Sequence, residues 1–222
     1  MTRRFRLFAL LLLLPFGSGP AAAPEPVILL TGFDAFGGRA LNASWDAIAP
    51  LEGTRVGGAL VHCVRLPVVW GRMGAPLQEA LERWTPCCAL CLGEGSPGKY
   101  RVEMVAMNQV APHPDNLKAL PGRTVVIEGA PESYPTALPV DVVVGALEKG
   151  SFPVERSENA GRYLCEECFF TLQHLCKKRG MTDPHGFLHV PPYPKDATEE
   201  QGKAHAEALR KDIQAVLEAI RK

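Results

Sequence analysis

What this sequence lacks narrows it first. It has no excess of charge: 24 Lys and Arg stand against 24 Asp and Glu, which leaves no basic footprint for nucleic acid. It has no apolar run long enough to cross a bilayer comfortably. The longest, Leu7 to Phe16, is about half of the ~20 residues that a spanning helix needs, so no stable membrane insertion is expected. It has no internal repeats, which excludes a repeat architecture, and no linker that would divide it into domains. It also lacks an even cysteine count. Seven cysteines, at 63, 87, 88, 91, 165, 168 and 176, leave at least one thiol free or paired between molecules if the chain is exported. What remains is a globular composition, 46% hydrophobic and 22% charged, in a chain long enough for one large domain.

The first 23 residues stand apart. Arg3, Arg4 and Arg6 precede the apolar run, and Ala21-Ala22-Ala23 follows it. A charged start, an apolar middle and an A-x-A end are the parts of a secretory signal. The reading is a signal peptide over 1–23, an uncleaved anchor being the alternative, and a mature domain over 24–222 that is exported. Arg3-Arg4 also matches a twin-arginine signal loosely.

Along the rest of the chain, short apolar or alternating runs predict strands at 27–31, 60–69, 87–93, 101–107, 125–129, 152–156 and 186–192. Helices are predicted from Asn42 to Leu51, Pro76 to Trp84, Val140 to Lys149 and Gly161 to Arg179. A last helix opens on the capping box Thr198-x-x-Gln201. Strands alternating with helices predict an α/β fold: one three-layer α/β/α sandwich around a mixed, mostly parallel sheet. In such folds function gathers at the loops after strand C-terminal ends.

Chemistry-bearing residues fall at such places. Cys165, in SENAGRYLCEEC (157–168), sits at a predicted helix start, where free N–H groups favour a thiolate, and the small Ala160 and Gly161 before it let the chain approach closely. A cysteine nucleophile needs a base. His189, inside the strand GFLHVPP and just before its prolines, is the best placed of six histidines; a satisfied core histidine is the competing reading. Glu103, in RVEMVAMN, reads by alternation alone as a solvent-facing strand residue. Cys165 and Cys168 also form a C-x-x-C, but late in the chain and with two acids between them, which disfavours a redox dithiol. Cys87, Cys88 and Cys91 lack a second C-x-x-C to complete a zinc site. Asn42-Ala43-Ser44 matches a glycosylation sequon.

Four segments together resemble pyroglutamyl peptidase I, a cysteine peptidase family that removes N-terminal pyroglutamate. They are TGFDAFGG with Asn42-x-Ser44-Trp45, Glu103-x-Val105-Ala106-x-Asn108, Ser157-x-x-Ala160-Gly161-x-Tyr163-x-Cys165, and Phe187-Leu188-His189-Val190-Pro191. The resemblance runs from Val27 to the final helix and makes the sequon a family feature. It implies Cys165 as nucleophile, His189 as base and Glu103 as the group that orients His189. It implies that Phe33 and Phe36 sandwich the lactam ring, with Tyr163 and Leu164 as further apolar pocket residues. The implied partners are N-terminally pyroglutamylated peptides, without metal or cofactor, and the family's habit of assembling implies a homo-oligomer. Cys168, one turn on, is expected to pack beneath the nucleophile.

The chain departs from the family pattern in four places. Gly93-Glu94-Gly95-Ser96-Pro97-Gly98 replaces G-Q-A-G-G, Met104 follows the glutamate in place of Arg, Pro112-His113 precedes Pro114-Asp115-Asn116, and Glu166 follows the nucleophile in place of Asn. A negative charge beside a cysteine raises its pKa. A re-specialised or inactive binding homologue, or less readily a thiol redox protein, therefore stands as the alternative to a peptidase.

Overall fold

The computed structural model describes residues 25–222; the signal-peptide reading of 1–23 lies outside them. The apolar run after Pro26 forms β1 (Val27–Phe33), in which every residue is buried. A strand buried on both faces carries a continuous apolar run, and β4 (Cys88–Glu94) and β9 (His185–Val190) follow the same rule. These three are the centre of a seven-stranded sheet. Outside them lie β2 (Arg55–Val56) and β3 (Ala59–Leu66) on one side, β5 (Tyr100–Glu103) and β8 (Val154–Ser157) on the other, in the order β2-β3-β1-β4-β9-β5-β8. Four neighbouring pairs are parallel; β2 against β3 and β5 against β9 are antiparallel. A separate ribbon pairs β6 (Val105–Met107) with β7 (Ser133–Pro135).

Helices cover both faces. α1 (Ala43–Ile48), α3 (Val140–Leu147) and α5 (Glu199–Ile220) pack on one face, where Leu209, Ile213, Val216 and Leu217 of α5 meet Ile28, Leu30, Leu188 and Val190 of the sheet. α2 (Gly74–Trp84) and α4 (Leu164–Lys178) cover the other, where Phe169, Leu172 and Cys176 meet Leu29, Ala89, Cys91 and Phe187. The alternation along β9 divides the layers: Phe187 joins one core and Leu188 the other. The result is the three-layer α/β/α sandwich. Among the described residues no helix is long and apolar enough to cross a membrane.

Local signals explain the helix ends. Thr198 accepts from the amide of Gln201, whose side chain accepts in return from the amide of Thr198, a complete capping box. Lys177 and Lys178 lie in the last turn of α4, facing its free carbonyls.

Three expectations need correction. The strand over 101–107 is two strands in two sheets, divided at Met104: its amide donates to Ser157 O (2.7 Å) and its carbonyl accepts from Thr136 N (2.8 Å). Residues 125–129 form no strand. There the side chain of Asn108 takes a strand partner's place, accepting from Ile127 N and donating to Ile127 O, each at 2.9 Å. Helix α4 starts at Leu164, three residues later than expected, because Arg162 is left-handed (φ 53°) and Tyr163 is extended.

Candidate active site

The strand ends place the site. His189 is the penultimate residue of β9, and in the parallel register it pairs with Gly93 of β4. By alternation it shares the face of Phe187, the side covered by α4. Glu103 ends β5, whose antiparallel register sets Arg101 opposite His189. Arg101 and Glu103, two apart, therefore look to the same face as His189. Nδ1 of His189 lies 2.7 Å from Oε1 of Glu103. Glu103 is fully buried and His189 is 3% exposed, which corrects the solvent-facing reading of Glu103. A carboxylate on Nδ1 turns Nε2 toward the open side and fixes the ring's tautomer.

Cys165 comes to this pair from above. It lies in the first turn of α4, where amide N–H groups have no partners within the helix. A Cβ added to Gly93 would lie 2.7 Å from its Sγ, so the sulfur sits directly on the backbone of the strand residue beside His189. Adjacent strands are ~4.8 Å apart, so the glycine under the sulfur and the backbone of His189 are strand neighbours. Gly95 repeats the device, since a Cβ there would lie 2.7 Å from that of His189. At Gly93 and Gly95 the lack of a Cβ leaves the space that the Cys165 and His189 side chains occupy. The run Gly93-x-Gly95 after a buried strand is the signal that could have marked them.

The residues before Cys165 act differently from expectation. Gly161 has φ +94° and nothing within 4 Å of an added Cβ. It serves backbone conformation rather than close approach. Cys168 is fully buried in the core below Cys165, so the C-x-x-C does not present a dithiol to an outside partner.

The electrostatics also run against the helix-start argument. Burial, then the charges of Glu103, Glu166 and Glu94, push the Cys165 thiol well above its ordinary range. Glu166 is fully buried and accepts from Met107 N at 2.7 Å. Burial pushes its carboxyl up to about 7 from 4.5. These surroundings favour the thiol over the thiolate at Cys165.

Arg101 was missed by sequence reasoning. Its guanidinium lies 3.8 Å from Glu103 and donates to Asn159 O at 2.8 Å and to Ser157 Oγ. It brings a cation to the carboxylate behind His189 and ties β5 to the segment leading into Cys165. The period-2 pattern of Arg101-Val102-Glu103 is the signal for it.

Of the expected pocket residues, Phe33 and Leu164 lie in the core at 3% and 1% exposure. The rings that face one another are Phe36 and Tyr163, with centroids 6.5 Å apart, rather than Phe33 and Phe36. They border a cavity of about 450 Å³ whose other wall is 113–116 and Lys118. Tyr163 donates to Pro114 O (2.9 Å) and packs edge-on to Trp70 at 5.2 Å. Asn42 holds the loop that carries Phe36. Its Oδ1 accepts from Ser44 N (3.0 Å), its Nδ2 donates to Asp34 O (2.9 Å), and Ser44 Oγ accepts from Phe33 N (3.1 Å). The Asn42-x-Ser44 motif is a structural clasp. Glu94 completes it by accepting from Ala43 N (2.8 Å) and pairing with Arg39.

A model of the family described as pyroglutamyl peptidase matches residues 27–222. A pyrrolidone-carboxylate peptidase of Gloeobacter violaceus is 38% identical over 200 residues, covering 87% of this chain and 96% of its own. One from Thermococcus kodakarensis is 32% identical over 196 residues, covering 87% and 95%. The crystal structure of Bacillus amyloliquefaciens pyroglutamyl peptidase I superposes with TM-score 0.77 at 31% identity, covering 88% of this chain and 97% of that one. A mutant pyrrolidone carboxyl peptidase from Pyrococcus furiosus gives TM-score 0.78 at 29% identity, covering 87% and 97%.

Proposed function

This chain belongs to the pyroglutamyl peptidase family, and from that premise we propose that it hydrolyses the amide bond after an N-terminal pyroglutamyl residue, with Cys165 as nucleophile, His189 as general base and acid, and Glu103 orienting His189. One observation carries the reading: the buried 2.7 Å pair of His189 with Glu103 stands one strand away from the glycine on which the Cys165 sulfur rests.

The chemistry follows from the charges. Because burial and nearby carboxylates favour the thiol form of Cys165, Nε2 of His189 takes its proton as the sulfur attacks the exocyclic carbonyl carbon. Glu103 steadies the imidazolium that results. The amide N–H of Cys165, free in the first turn of α4, is placed to donate to the developing oxyanion. His189 then gives the proton to the leaving amine, the C–N bond breaks, and an acyl thioester remains. Water, deprotonated by His189, releases pyroglutamate and restores the thiol. The pyroglutamyl group is a neutral lactam with an apolar body, and it suits the aromatic walls Phe36 and Tyr163. It brings no α-ammonium, so the site needs no acidic anchor for it.

Release of a fluorophore from a pyroglutamyl amide tests the reading. Reduced wild type should turn over and Cys165→Ala should not; no turnover by folded, reduced wild type would refute it. We also propose that the protein is exported, which rests on residues 1–23, and that copies assemble, which rests on the family resemblance. N-terminal sequencing of the mature protein and its sedimentation address these.

A further inference from the structure

A second and larger cleft, of about 1300 Å³, opens at Arg39, whose guanidinium lies over the Phe36 ring. Ligand pockets for small molecules run to roughly 300–1,000 Å³. The cavity beside Phe36 and Tyr163 already has the size for a lactam ring, and this one exceeds that need. We propose that it receives the peptide chain downstream of the scissile amide and favours an extended, apolar segment. The inference rests on the peptidase reading and gives it a substrate class.

Continuity with the site is the first argument. The leaving nitrogen takes its proton from His189, so the downstream chain begins there. One residue beyond, Val190 pairs in register with Glu94, and Gly95 N donates to Val190 O at 2.9 Å. The chain of β9 then becomes Pro192 and Tyr193, which form the wall of the cleft. Arg39 stands on the boundary. Its guanidinium lies 4.5 Å from the centroid of the Phe36 ring, pairs with Glu94 and lines the cleft. Arg39 thus touches both an aromatic wall of the acyl pocket, Phe36, and the cleft, and Gly95, on the sheet edge nearby, carries no side chain.

The lining supplies the second argument. Leu41, Phe152, Pro192, Tyr193 and Pro194 give apolar and aromatic surface, and prolines offer no N–H to a ligand. Leu41 is 55% exposed at the rim, a large apolar side chain with nothing over it. Tyr193 is held in place by its hydroxyl, which donates to Asp46 at 2.9 Å, and His205 braces the turn through Pro191 O at 3.0 Å. The rim charges balance: Arg39, Lys195 and Lys203 against Asp46, Asp196 and Glu199. Selection therefore falls on apolar contact and shape, as in grooves of aromatic and proline residues that take extended peptides.

The test uses Cys165→Ala, which binds without turnover, so it can fail or succeed apart from the peptidase reading. Binding of two labelled ligands is followed by fluorescence anisotropy: a pyroglutamyl amide, and a pyroglutamyl hexapeptide with leucine and phenylalanine downstream. The hexapeptide is expected to bind at least tenfold tighter, about 1.4 kcal/mol. Adding Leu41→Asp, an exposed change whose fold is checked by melting temperature, should bring the ratio toward one. A hexapeptide with aspartate and glycine downstream should lose the advantage in Cys165→Ala. Equal affinity for the amide and the apolar hexapeptide would overturn the proposal, and so would an advantage that survives Leu41→Asp.

Discussion

Glu103 holds Nδ1 of His189 at 2.7 Å in a place where neither residue has more than 3% of its surface open to water. A buried pair of this kind contributes little net stability, but breaking it is costly because the remaining group is left uncompensated. Its value here is orientation. Glu103→Gln keeps the shape and an acceptor oxygen and removes the charge that stabilises the imidazolium. We expect kcat on a pyroglutamyl amide to fall by about 10²–10⁴ with a small change in KM. A loss under about tenfold would show that the pair does not orient the base.

Gly93→Ala should remove activity by a route unrelated to folding alone. Its Cβ would lie 2.7 Å from Cys165 Sγ and 2.9 Å from Phe187 Cζ, so the nucleophile or the ring must move. Overpacking of this kind costs about 1–3 kcal/mol, which a domain spanning residues 27–222 can bear. The variant should melt at a somewhat lower temperature, while both turnover and Cys165 alkylation fall. Turnover within about twofold of wild type, a ΔΔG‡ of roughly 0.4 kcal/mol, would mean that the sulfur does not rest on this strand.

Glu166 gives the site a pH dependence whose sign is fixed. Its carboxyl titrates at about 7 in the folded protein against 4.5 in a free chain. The folded state therefore holds the proton more tightly. Its contribution to stability is fully present below pH 4.5 and is lost as pH rises through 7. Glu166→Gln should flatten that fall: relative to wild type, the variant gains melting temperature between pH 5 and 8. Removing the charge should also speed iodoacetamide labelling of Cys165 at pH 8, because Glu166 is among the carboxylates that push the thiol up. Unchanged labelling would separate Glu166 from the nucleophile.

Asn42→Ala should loosen the loop that presents Phe36. The residue is 3% exposed and engages Ser44 and Asp34 together. Loss of the cap alone costs about 1 kcal/mol, which lowers Tm by roughly 2–4 °C in a domain of this size. Because Phe36 borders the acyl cavity, KM for a pyroglutamyl amide should rise more than kcat falls. A change in Tm with kinetics intact would make the clasp a matter of stability only.

The layers and most strands were legible because β1, β4 and β9 are buried on both faces and so carry unbroken apolar runs. Cys165, His189 and Glu103 could be named from motifs, yet the residues alone left Glu103 as a surface strand position. Alternation shows which residues share a face. It does not show whether that face meets water or α4. The false strand at 125–129 has a similar origin: Val125, Val126 and Ile127 have strand chemistry, but the hydrogen-bond partner of Ile127 is the side chain of Asn108, 19 residues away. The raised Cys165 thiol could not be read either. The helix start was visible in the sequence, whereas the convergence of Glu94, Glu103 and Glu166 depends on three separate elements meeting.

That convergence acts on the end of the reaction as well as on its start. The acyl group enters as an uncharged amide and leaves as a carboxylate, formed at the carbon that was bonded to sulfur and therefore beside Glu103, Glu94 and Glu166. Hydrolysis places a new anion among acids that had no quarrel with the substrate. The carboxylates that disfavour the thiolate disfavour this new anion in the same way, and free pyroglutamate should be a poor inhibitor of the enzyme that releases it, poorer still above pH 7, where Glu166 carries its charge.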